Sequence, residues 1–174
     1  MTDQQKMKRI IILIVLAIIL TVTFLFYSFP KTIEEEYSAI QFFENEPNSA
    51  EQIAMKIAGK LENPVIGQPQ FTGQLILEGY DFTKDYELLP IVLHEFTESS
   101  WLGSVVYSAI HNGKPVLRSF ALITSHEFDR FVLSGYDDQS QDGQLLQIVS
   151  PAMDYQTALE ILAQFRQEEP TDLE

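Results

Sequence analysis

The run Ile10–Phe29, IIILIVLAIILTVTFLFYSF, constrains this chain more than any other stretch. It carries no charge, no proline and no glycine. About twenty residues at roughly 1.5 Å per residue make a helix of about 30 Å, the thickness of a bilayer's hydrocarbon core. A helix apolar on every face has no polar side to turn toward water, so it needs lipid or a very large core around it. The run therefore predicts a single transmembrane helix over residues 10–29. Lys6, Lys8 and Arg9 precede it, and Glu34, Glu35 and Glu36 come after it. Basic flanks stay in the cytoplasm. The expected localisation is thus the cell membrane, single-pass, with a cytoplasmic tail at 1–9 and an extracytoplasmic C-terminal domain. A cleaved signal peptide is the alternative, but its apolar region is about 7–15 residues and ends in small side chains. This run is longer and ends in Phe24, Phe26, Tyr27 and Phe29, residues suited to an interfacial aromatic belt.

The remainder of the chain, beyond this run, is long enough for one hydrophobic core. The chain has 174 residues and a net charge of −14, with 11 basic and 25 acidic residues. Three of the basic ones lie before the run, so the rest of the chain is more acidic than the average. Such a domain repels phosphate backbones, which excludes nucleic acid as a partner. There is no cysteine. Disulfides, thiolate metal sites and thiol nucleophiles are therefore excluded, a composition that suits a bacterial cell envelope better than an animal secreted domain.

Apolar spacing then orders the domain. Thr32 caps an expected helix carrying Ile33, Tyr37 and Ile40. Ser49 caps a second, with Ile53, Ile57 and Leu61 at spacings of four. Residues 30–64 are thus expected as juxtamembrane helices. From Phe71 the period shortens: Phe71, Gly73, Leu75 and Leu77 share one strand face. Glu87–Phe96 reads as a strand interrupted at Pro90. Ser104–His111, Asn112-Gly113 and Lys114–Ile123 form a hairpin with the preferred type I′ turn pair. Further strands are expected near Phe128–Leu133 and Leu145–Val149. Asp154 caps a closing helix with an apolar face of Tyr155, Ala158, Leu159, Leu162 and Phe165. The predicted fold is α+β: an antiparallel sheet of about five or six strands with helices on one face, over residues 65–169, and a disordered tail at 170–174.

The pattern F-x-G-x-L-x-L-x-G-Y at Phe71–Tyr80, with V-S-P-A-x-x-x-x-x-A-L-x-I at Val149–Ile161, resembles small exported or membrane-anchored proteins of Gram-positive bacteria with no assigned activity. The resemblance implies location and rough architecture. It supplies no functional residues.

Chemistry-bearing patterns are sparse. His94-Glu95-x-x-Glu98 has the spacing of a zinc-protease helix but lacks the second histidine. Asp138 and Asp142, with Gly143, partly match a calcium loop, yet Val149 stands where the bidentate glutamate belongs. His94, His111 and His126 have no nucleophile elbow beside them. Glu95 and Glu98 are the remaining carboxylate pair for an envelope hydrolase. Trp101, Tyr80 and Tyr136 are the aromatic candidates for an interaction surface. No cofactor is expected. These residues together suggest a membrane-anchored, non-enzymatic binding module of the cell envelope with a membrane or envelope protein as partner. The alternative is an envelope hydrolase using acidic or histidine residues.

Overall fold

A computed structural model describes residues 3–26, 30–44, 46–111, 113–136 and 144–167. Three helices are present among these: α1 (Asp3–Phe26), α2 (Phe82–Asp85) and α3 (Tyr155–Gln167). Nine strands make up most of the rest: β1 (Lys31–Phe43), β2 (Glu51–Glu62), β3 (Gln70–Leu77), β4 (Glu87–Leu88), β5 (Ile91–Thr97), β6 (Ser100–His111), β7 (Lys114–Ser125), β8 (Phe131–Tyr136) and β9 (Leu145–Ser150). All pair antiparallel, in the order β4-β6-β5-β3-β2-β1-β9-β8-β7, and β6 also pairs with β7. Eight strands therefore close into a barrel, with β4 as an extra strand on the upper part of β6. Here the upper end is the one where β1 ends and β2 begins.

This corrects the expected five- or six-stranded α+β sheet. Two more strands come from the residues expected as juxtamembrane helices at 30–64. β1 and β2 pair over eleven positions, from Lys31↔Leu61 to Gln41↔Glu51. A spacing of four fits a helix turn and two strand repeats equally well, so Ile53, Ile57 and Leu61 did not distinguish them. Met55 does. It lies between Ile53 and Ile57 on the same face and is fully buried with them, which a strand allows and a helix forbids. Closure also suits an acidic exposed domain, because it removes most of the strand edges that would otherwise seed aggregation.

The expected transmembrane helix, and the membrane and signal-anchor description built on it, are corrected as well. Among the described residues no helix is long and apolar enough to cross a membrane. α1 begins at Asp3 and spends its first turns on charged and amide residues. Its uncharged part, Ile10–Phe26, covers about 25 Å at 1.5 Å per residue, short of the ~30 Å hydrocarbon core. Tyr27–Phe29 lie outside the described residues.

The barrel is filled rather than hollow. Eight strands leave an interior that side chains can just occupy, and here Met55, Ile57, Phe71, Leu75, Leu77, Ile91, Leu93, Tyr107, Leu122 and Phe131 occupy it, none more than 1% exposed. Aromatic rings close both ends. At the lower end Phe128 stacks on Phe71 (5.2 Å between centroids) and meets Phe131 edge-on (5.1 Å). Phe128 holds a left-handed backbone, φ 60°, uncommon for a bulky residue. Ser125 Oγ supports that turn by accepting from the N–H groups of Asp129 (3.2 Å) and Arg130 (3.3 Å). At the upper end Phe82 of α2 stacks on Phe120 and packs edge-on against Tyr107.

A second core lies outside the barrel wall. α3 turns Ala158, Ile161, Leu162 and Phe165 onto the outward-facing Ile40, Phe42, Val132 and Val149. These strands are buried on both faces, which is why β9 reads as an almost unbroken apolar run instead of an alternating one. Asp154 caps α3 as expected, its Oδ1 accepting from Thr157 N–H (2.7 Å) and Thr157 Oγ1 (2.8 Å).

Candidate functional site

The inward register of the barrel changes character at its upper end. On β7 the inward positions run Thr124, Leu122, Phe120 and then Arg118; on β1 Ala39 is followed by Gln41; on β2 Glu51 precedes Ile53. A polar layer thus sits on the apolar filling. β3 ends beside it, and the chain turns through Glu78-Gly79 (φ 84°) and Tyr80 into α2. Together these elements surround an open cleft of about 700 Å³, lined by Gln41, Glu51, Glu78, Tyr80, Asp81, Phe82 and Arg118 among others.

Hydrogen bonds fix the lining. Tyr80 Oη donates to Gln41 Oε1 (2.9 Å), and Gln41 Nε2 donates to Glu51 Oε2 (2.9 Å). Glu78 Oε2 accepts from Ala54 N–H (3.0 Å), and Thr83 Oγ1 accepts from Leu77 N–H (3.1 Å) while donating to Tyr80 O (2.7 Å). Beneath the cleft, Tyr107 Oη donates to Leu75 O at 2.6 Å. β5 pairs with β3 only at Gln70 and Phe71, so Leu75 O has lost its strand partner and the phenol replaces it. Burial pushes the Tyr107 phenol well above the usual tyrosine range. The cleft has three carboxylates, one guanidinium and two aromatic rings. Such a lining can recognise a polar or cationic group; it presents no nucleophile with a base beside it.

The aromatic candidates separate. Tyr80 and the 73%-exposed Tyr136 meet at the mouth, lining a small adjoining cavity with Arg118 and Phe120. Trp101 is 4% exposed and sits at the lower end, its ring 4.8 Å from that of His126. Of the hydrolase candidates, His94, Glu95, Glu98 and His126 also lie low on the barrel. His94 Nδ1 is 3.0 Å from Gln68 Nε2. Glu95 Oε1 is 3.3 Å from His126 Nε2, close enough for an ion pair with a protonated ring but not aligned as a hydrogen bond. Glu98 is exposed in the β5–β6 turn, and His111 is exposed at the upper hairpin. Asp138 and Asp142 lie outside the described residues. Among the described residues no group of three or more potential metal ligands is assembled.

Gln41, Glu51, Glu78 and Arg118 were not read from the sequence as site residues. Recognising 31–62 as a strand pair would have revealed the first two, since alternation then turns Gln41 and Glu51 inward beyond an apolar series.

The fold and its mouth define a class: a filled, closed antiparallel barrel with a polar cleft at one end and a helix on its wall. Comparison with family models, curated proteins and solved structures finds no match to this chain.

Proposed function

We propose that this chain is a non-enzymatic interaction module of the cell envelope, presenting its barrel to an envelope or membrane protein. One observation carries the reading. Apolar residues project from all sides of α1, with Ile10, Ile11, Ile12 and Leu13 each 55–65% exposed, while the barrel's own core is complete without them. So large an apolar surface is untenable in water and marks an association site. The filled interior and the dispersed histidines and carboxylates support recognition over catalysis.

Crosslinking in intact membranes followed by capture of this chain is the direct test. A reproducible partner is expected. Release of product from wall glycan or peptide by the purified protein, abolished by Glu98→Gln, would overturn the reading in favour of a hydrolase.

A further inference from the structure

Barrel closure is incomplete along one edge. β1 pairs with β9 only from Ile40↔Val149 to Phe43↔Leu146. Ser38 O accepts from Ala152 N–H (2.9 Å), and Glu44 N–H donates to Leu145 O (2.9 Å). These bonds show that even-numbered residues of β1 direct their main-chain groups toward β9. Below Ser38 the chain has already left the sheet at Pro151 and runs to α3. The N–H and C=O groups of Thr32, Glu34 and Glu36 consequently have no strand partner among the described residues. All three residues are exposed.

This edge carries three consecutive glutamates, while the one lysine of the same strand, Lys31, gives its ammonium to Glu127 O (3.1 Å). Glu34 and Glu36 project from the outer face. Glu35 takes the inward register; burial, and then the charges of Glu35 and Asp129, raise the pKa of the Tyr37 phenol. On β2, Lys60 stands across from Thr32 and Lys56 from Glu36, while Glu34 and Glu35 face Ala58 and Ile57. A second copy of this chain would set glutamate against glutamate along the new ladder, which disfavours self-pairing. The same charges favour a basic strand, whose alternate side chains would lie beside Glu34 and Glu36 on the outer face.

We propose that the lower edge of β1, at Thr32, Glu34 and Glu36, is a docking site for an extended partner segment with basic residues at alternate positions, which adds a strand to the barrel. Main-chain hydrogen bonds would supply affinity and the carboxylates specificity. This rests on the reading of the chain as an interaction module and names the chemistry of its partner.

The test uses the full chain in detergent micelles and two synthetic peptides, one alternating lysine with valine and one alternating glutamate with valine. The lysine peptide should bind saturably and the glutamate peptide should not. Amide exchange at Thr32, Glu34 and Glu36 should slow in the complex. Glu34→Pro removes an outward N–H that β2 does not use, and should weaken binding about tenfold, equivalent to one net hydrogen bond, with the barrel's melting unchanged. If that variant does not fold, amide protection in the unaltered protein decides the question. No binding, or binding without protection of those amides, overturns the proposal and leaves the glutamates as guards of the edge. A crosslinked partner that contacts only the upper cleft would overturn it too, while the interaction-module reading stands.

Discussion

Tyr107 shows how one side chain can repair a gap in a sheet. Pro90 lacks an N–H and interrupts the strand between β4 and β5, so the upper part of β3 loses its neighbour and Leu75 O needs another donor. The Tyr107 phenol reaches it from the barrel interior. Tyr107→Phe keeps the ring packing but leaves that buried carbonyl unpaired, at an expected cost of about 1–3 kcal/mol in urea unfolding. The pH dependence has a definite sign. Because the native phenol titrates above its unfolded value of about 10, the unfolded chain ionises first, and stability falls as pH rises beyond that value. Tyr107→Phe should flatten part of that alkaline loss in melts taken across the range. Asp154 works in the opposite window. Its bonds to Thr157 N–H and Oγ1 hold its carboxyl below the usual range. Its contribution is therefore present above the unfolded aspartate pKa and fades as pH falls through the native one. Asp154→Ala should lower the melting temperature at neutral pH and remove this acid-side dependence, whereas Asp154→Asn should retain much of the cap.

At the scale of elements, what could be read from the sequence depended on whether one periodicity stood alone. The β6–β7 hairpin was legible because its turn chemistry and alternation agree: its register runs unbroken from Ser100↔Ser125 to His111↔Lys114. The interruption at Pro90 and the capped, amphipathic α3 were legible for the same reason. β1 and β2 were not. Ile53, Ile57 and Leu61 satisfy both periods, and the alanines, methionine and lysines between them carry good helix propensity; cross-strand pairing overrode it. The mouth cleft was hidden by the same error, apart from Tyr80 and Tyr136. The close meeting of β2 and β3 was equally invisible, since it depends on register. Gly59 and Gly73 face each other there. A Cβ on Gly73 would fall 2.5 Å from Gly59 Cα and closer still to Ala58 O, both backbone atoms that cannot swing aside. Gly73→Ala should therefore cost at least about 2 kcal/mol through overpacking. A lower urea midpoint with an unchanged slope would report that loss as stability rather than as a change in the unfolded chain.

For the whole molecule, two bodies of opposite character share one chain: a barrel whose apolar side chains are enclosed, and a helix whose apolar side chains are not. The barrel needs nothing from α1, since its interior and its α3 layer together account for its buried side chains. The exposed run of α1 then has to be explained by something outside the chain. If those surroundings are lipid, placing charge in the run should be costly, by about 2.5–3.5 kcal/mol for each lysine near the apolar centre. Leu13→Lys with Leu16→Lys should shift the protein from the membrane pellet to the supernatant after alkaline carbonate extraction. The barrel's melting temperature should stay the same in both forms, because neither leucine belongs to its core. An unaltered chain that leaves the pellet as readily as the double variant would assign the covering of α1 to protein instead. Loss of barrel stability in the variant would show that the helix and the barrel are energetically joined, contrary to the separate cores.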